Sequence, residues 1–305
     1  MIQRPQQRGQ VILKRQTVQK PPPPRRKKGS FFKGFLVVIG AILLTTFAIK
    51  ASDSYRVPGA TSLVAGVGGS KTEHCPEDMA YVPNAQGGFC IDRYETAPGE
   101  VCPHDDPMNQ FETEGNLSDP LCVPVSKKGL RPWVNVSMHQ ALALCAKVGK
   151  RLPTHGEWYR AALGTPDAIT SEKSACALGK VGQARADATG MHDNCVSSYG
   201  AYDMVGNVWE WIDATVSGGM YQNRMLPSEG YVVEADQDGV PSAVGESSTA
   251  FGGDYFFADP TGVKGMFRGG FWSMNEKAGM FTINTTMPTS FVGVAVGFRC
   301  VREAA

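Results

Sequence analysis

Eight cysteines and five histidines are the residues best suited to chemistry in this 305-residue chain. No C-x-x-C pair occurs and the histidines show no ligand spacing, which argues against a metal site built from them. The cysteines stand at positions 75, 90, 102, 122, 145, 176, 195 and 300. An even count, all beyond residue 74, predicts disulfides formed in an oxidising compartment. Proximity favours Cys75–Cys90, Cys102–Cys122 and Cys176–Cys195, which leaves Cys145 with Cys300. Eight cysteines admit on the order of a hundred connectivities, so spacing alone leaves the pairing open. G-x-S-x-G, H-E-x-x-H and P-loop patterns are absent. His104-Asp105-Asp106 reads as a solvated loop, and His155 as a packing or local hydrogen-bonding residue.

The densest motif is Gly200-Ala201-Tyr202-Asp203-Met204-Val205-Gly206-Asn207-Val208-Trp209-Glu210-Trp211, which sets aromatic mass around a Gly-Asn turn. The elements that must position it are short. Residues 79–95 carry β-like runs around Gly87-Gly88 and predict a hairpin. Residues 97–128 show no period and predict a long loop tied down by Cys102 and Cys122. Ser137 and Gln140 form a capping box, after which Met138, Ala141, Leu142, Cys145 and Val148 share a helical face that Gly149 ends. Thr154 and Glu157 form a second box, leading into Trp158, Ala161 and Ala162, with Gly164 as the stop. Two short helices, many short strands and long loops predict an α+β domain. Asp236-Gln237-Asp238-Gly239 reads as a plain turn. Trp209, Trp211 and Trp272 are expected to anchor loops in the core. Asn116, Asn135 and Asn284 open N-x-S/T sequons.

These segments together resemble the formylglycine-generating enzyme (sulfatase-modifying factor) family. The similarity runs in order through Phe89-Cys90-Ile91-Asp92-Arg93-Tyr94-Glu95, Gly149-Lys150-Arg151-Leu152-Pro153-Thr154 with Glu157-Trp158, the 200–211 motif, Arg268-Gly269-Gly270-Phe271-Trp272 and Gly297-Phe298-Arg299-Cys300. It covers roughly residues 79–302. The resemblance implies a loop-rich, disulfide-stabilised variant of the C-type lectin fold, and a disulfide between Cys145 and Cys300.

What the resemblance does not carry over is the copper chemistry. Family members that make formylglycine use two cysteines after a Gly-Gly-Ser motif, and soft thiolates suit Cu(I). Aligning Gly269-Gly270 puts Phe271 at the serine position, Met274 at the first cysteine and Gly279 at the second. Met274 cannot form a thiolate and Gly279 offers no ligand, so copper is not expected. Calcium is the cofactor the resemblance implies, with the Asn207 and Glu210 side chains and the Val208 and Ile212 carbonyls as ligands. A related iron-dependent thiol oxidase uses a histidine-rich motif that this chain lacks.

Charge is distributed unevenly. Residues 1–30 hold nine Lys/Arg and no acid, so the remainder is net acidic although the whole chain is +1. Residues 1–30, with Pro21 to Pro24 consecutive, predict a disordered basic tail. Residues 31–51 carry roughly 19 apolar positions, long enough for a ~30 Å hydrocarbon core, and predict an uncleaved transmembrane helix. The basic flank sets the N-terminus in the cytoplasm and residues 75–305 outside, in the periplasm or the extracellular space, with 52–74 as a linker. Arg25-Arg26-Lys27-Lys28 suits orientation and anionic lipid, not nucleic acid. The leading expectation is a non-catalytic binding or scaffolding module of the cell envelope with a protein or glycan partner. The competing expectations are an oxidoreductase with a divergent site near Ser273, Asn275 and Glu276, and a lectin-like carbohydrate binder.

Overall fold

A computed structural model describes residues 75–85, 87–166, 175–247 and 251–305, all within the compact unit Ser70–Ala305. The predicted tail, transmembrane helix and linker lie outside the described residues. Among those described, no helix is long and apolar enough to cross a membrane.

The chain opens with β1 (Met79–Val82) and β2 (Phe89–Asp92), the predicted hairpin, paired antiparallel from Met79↔Asp92 to Val82↔Phe89. Next, β3 (Ala97–Pro98) pairs with β4 (Pro124–Val125) and brackets α1 (Gln110–Ser118). Helix α1 corrects the long-loop expectation for 97–128 and makes three helices, not two, among the described residues. Asn109 caps it by accepting from the Phe111 and Glu112 amides. Polar residues cover most of its surface and only Thr113 and Asn116 are buried, so no apolar period marked it.

Both predicted capping boxes form. Ser137 starts α2 (Met138–Lys147) and Thr154 starts α3 (His155–Ala162), each with reciprocal side-chain and backbone bonds to Gln140 and Glu157. On α2 the buried face uses Leu144 where Leu142 was expected, with Met138, Ala141 and Cys145 as predicted.

The C-terminal half is mostly sheet. Strands β5 (Trp209–Ser217), β6 (Met220–Tyr221), β7 (Arg224–Met225), β8 (Gly230–Ala235), β9 (Pro241–Gly245), β10 (Tyr255–Ala258), β11 (Val263–Arg268), β12 (Ile283–Thr285) and β13 (Val296–Phe298) form a nine-stranded sheet among the described residues. Its order is β7-β6-β5-β11-β12-β10-β8-β9, with β13 parallel to β5. The last strand, β14 (Val301–Glu303), returns to β2. Asp236 to Gly239 form the turn between β8 and β9, as predicted.

Strand β5 separates two cores. Trp209 and Trp211 enter one with Trp133, Phe267, Phe298 and the Cys145–Cys300 disulfide. Ile212, Ala214 and Val216 enter the other with Trp158, Phe256 and Ile283. Burial on both sides explains why the first four residues of β5 are all apolar-packed or bonded, without alternation. The cysteines pair as Cys75–Cys90, Cys102–Cys122, Cys145–Cys300 and Cys176–Cys195.

Candidate functional site

After β11 the chain turns through Gly269 and Gly270 and descends in three tight turns, closed by Met274 N–H to Phe271 O, Ala278 N–H to Asn275 O and Thr282 N–H to Gly279 O. This loop carries Phe271, Met274 and Gly279, the residues that the resemblance sets against the family's serine and two cysteines. Phe271 is half-buried, edge-on to Trp272 at 5.4 Å. Met274 is 9% exposed and packs into the first core. Gly279 is buried against Asp254, the residue just before β10: a Cβ built on Gly279 would overlap Asp254 Oδ1. Asp254 is itself fully buried, and its Oδ2 accepts the Phe281 amide at 2.6 Å. A carboxylate therefore fills the space a second cysteine would need. No free thiol exists among the described residues.

The loop walls one side of a cleft of about 370 Å³. Trp209, Phe257, Phe271 and Met274 supply its apolar surface, and Asn275, Glu276, Lys277 and Asn284 its polar rim. The cleft thus includes the Asn275 and Glu276 flagged in the sequence, joined to aromatic residues of β5 and β10 that sequence spacing does not connect.

Behind it, under the Gly206-Asn207 turn, lies a buried charge cluster. A Cβ on Gly206 would overlap the Ala177 carbonyl, and both residues have left-handed backbones (φ 79° and 52°). This turn aims β5 so that Glu210, 1% exposed, meets Arg299, 0% exposed. Arg299 Nη2 donates to Glu210 Oε1 at 2.6 Å and Nε lies 2.8 Å from Oε2. Trp158 Nε1 donates to the same Oε2 at 2.7 Å. Glu95 accepts Asn207 Nδ2 at 2.6 Å and the Val208 amide at 3.2 Å. Burial, reinforced by Asp203 and Glu210, holds the Glu95 carboxyl well above the usual range. Burial likewise pushes Asp203 up to about 6, against the pull of Gly190 N–H and Arg299. Burial opposes the charge on Arg299, but Glu210, Glu95 and Asp203 together outweigh it, and its pKa rises.

The ligand set expected for calcium does not fit as these side chains stand. Both Glu210 oxygens face the Arg299 guanidinium. Asn207 Oδ1 accepts the Asp187 amide at 2.9 Å, Val208 and Ile212 are buried, and no group of three or more His, Cys, Asp or Glu among the described residues is arranged to hold a metal. Asn207 works as an internal brace between residues 95 and 187.

Other candidates resolve into structure. The His104 backbone pairs with the Asn116 amide, and Asp106 with Arg185 at 2.7 Å. His155 is 2% exposed with its ring 3.0 Å from Arg268 Nη1; burial, then Arg268, lowers its pKa well below 6.5. Trp209, Trp211 and Trp272 are core, as expected. The Asn116 and Asn135 sequon amides are buried and donate to the His104 and Pro107 carbonyls. Sequence reasoning missed the cluster of Glu95, Asp203 and Arg299, and separately Asp254 against Gly279. Glu95, Asp203 and Arg299 do stand inside recognised motifs, which was the available signal.

The disulfide-bonded α+β domain, its glycine-led loop after β11 and the Glu210–Arg299 core define a class of protein built on the formylglycine-generating scaffold. Residues 88–304 match the sulfatase-modifying factor enzyme 1-like domain, and the chain belongs to that family. It is 32% identical over 120 residues to the inactive C-alpha-formylglycine-generating enzyme 2 of Bos taurus, covering 34% of this chain and 40% of the relative. It is 36% identical over 92 residues to the hercynine oxygenase of Mycolicibacterium smegmatis, covering 27% and 22%. The chain thus spans well under half the length of these curated relatives. Among solved structures, the major tropism determinant I1 variant aligns with TM-score 0.43 and 16% identity, covering 75% of this chain and 53% of that one.

Proposed function

We propose that the chain is a membrane-anchored, extracytoplasmic binding module in which the sulfatase-modifying-factor scaffold has given up copper oxidation. The observation that carries this reading is Gly279 packed on Asp254, with Met274 and Phe271 at the other two positions. Copper oxidases of this kind need a thiolate pair, and neither position can supply one. That a bovine relative is called an inactive formylglycine-generating enzyme is in keeping with it. The anchor rests on the uncharged run that follows the basic tail, and the outward orientation on the four disulfides together with that charge bias.

The deciding experiment incubates the purified protein with copper, oxygen and a cysteine-containing sulfatase peptide, followed by mass spectrometry. The peptide is expected to stay a thiol; conversion to formylglycine would overturn the non-catalytic reading.

A further inference from the structure

The cleft at the displaced catalytic positions opens onto a row of aromatic rings. Trp209 and Phe257 have centroids 6.1 Å apart, Phe257 and Tyr255 are 4.7 Å apart, and Tyr255 and Tyr231 are 5.0 Å apart. The row crosses from β5 to β10 and β8 on one face of the sheet. Asn284 on β12 sits in register between Phe257 and Phe267, so its amide rises within the row. The latter three rings are half-buried and offer surface to solvent, whereas Trp209 forms the floor.

Polar groups stand along this row without a structural task. Asn275 and Glu276 are exposed, and neither side chain makes a hydrogen bond or ion pair within the described fold. Asn284 uses only its Oδ1, which accepts from Thr286, and leaves its amide donor to the cleft. The Lys277 ammonium lies 3.9 Å from the Tyr255 centroid and 5.5 Å from that of Tyr231. Glu276 and Lys277 offset one another, so the rim has both donors and acceptors and little net charge.

A ligand for this site must present flat apolar faces to rings and hydroxyl-type hydrogen bonds to amides and a carboxylate. A pyranose does both: its C–H face is apolar and its hydroxyls radiate around the edge. An extended peptide is the poorer match, because β5, β11, β12 and β10 are interior strands. No strand edge at the cleft is open to main-chain pairing. A phosphate-bearing ligand would meet Glu276 and only one cation.

We infer that the cleft formed by Trp209, Phe257, Phe271, Asn275, Glu276 and Asn284 is a carbohydrate site. This rests on the binding-module reading and names the ligand class for it.

The test applies the full-length protein, in detergent, to an array of neutral, amino-bearing and acidic oligosaccharides, then titrates the best probe by calorimetry. Retention of one glycan class is expected. Phe257→Ala is expected to weaken binding about tenfold. The surface double variant Asn275→Ala/Glu276→Ala should do the same with unchanged Tm, which separates lost recognition from lost folding. A blank array, or affinity unchanged in both variants, overturns the inference. The two readings fail differently. A blank array with the sulfatase peptide also untouched removes the carbohydrate and leaves the module, whereas formylglycine production removes both.

Discussion

The guanidinium of Arg299 holds both carboxylate oxygens of Glu210 in the centre of the domain, where the two residues are 0% and 1% exposed. The pair joins the 200–211 motif to the C-terminal Gly-Phe-Arg-Cys motif. Arg299 also donates to the carbonyls of Asp92 at 3.0 Å and Tyr202 at 2.8 Å. One side chain therefore ties three segments together, and what looks in the sequence like a signature of chemistry is here a structural clamp.

Removing one partner of such a pair leaves an uncompensated buried charge. Arg299→Met is expected to cost about 3–5 kcal/mol. The loss should sit near the top of that range because Glu95 and Asp203 remain beside Glu210. Glu210→Met/Arg299→Met should cost less than the sum of the single changes. Urea unfolding of the three variants checks this; strict additivity would show that the two residues do not act as a unit.

Restoring the family's cysteines should not restore its metal. Met274→Cys/Gly279→Cys puts a Cβ into Asp254, and overpacking of this kind costs about 1–3 kcal/mol. The double variant is expected to melt earlier and to bind Cu(I) no better than the wild type in a chelator competition. Tight stoichiometric copper binding by that variant would contradict the packing described for Gly279.

Acid should weaken the domain through His155. Its folded pKa lies well below 6.5, because burial and the neighbouring Arg268 and Arg224 charges oppose protonation. The unfolded chain protonates near 6.5 while the folded one resists, so the contribution is complete above pH 6.5 and is lost as pH falls below it. Glu95 and Asp203, whose pKa values are raised, act in the opposite sense: their contribution is present at low pH and lost as pH rises, for Asp203 through about 6. The comparison to make is therefore wild type against His155→Gln, whose stability gap should change between pH 7.5 and 5. A constant gap would show that His155 does not titrate on unfolding.

The disulfides should differ in worth by the loops they close. Cys145–Cys300 spans 155 residues and Cys75–Cys90 spans 15. Chain entropy alone assigns about 5 and about 3 kcal/mol to them. Paired Cys→Ala variants, compared by thermal unfolding, should reproduce that order. Equal losses would point to native-state contacts, and not loop closure, as the source of stability.

Much of the architecture was legible because its signals are local. The capping boxes at Ser137 and Thr154 each depend on residues three apart, and both helices start where those residues stand. The 79–95 hairpin is marked by Gly87-Gly88. Helix α1 was invisible because its cap, Asn109, precedes a polar segment whose buried residues, Thr113 and Asn116, are held by hydrogen bonds to residues outside the helix and not by an apolar face. Tyr255 and Phe257 could not be joined to Phe271 and Asn275 from the sequence, since the link is a sheet register between strands far apart in the chain.

The order of motifs alone determined the family, and the residue types at 271, 274 and 279 alone offer no thiolate, because a missing functional group is a matter of composition. Only the tertiary structure decided how those positions are packed. Burial and distance put Asp254 against Gly279, turned Glu210 from an expected calcium ligand into the partner of Arg299, and gathered half-buried rings beside Asn275 and Glu276. Those are consequences of packing between segments that no local pattern connects.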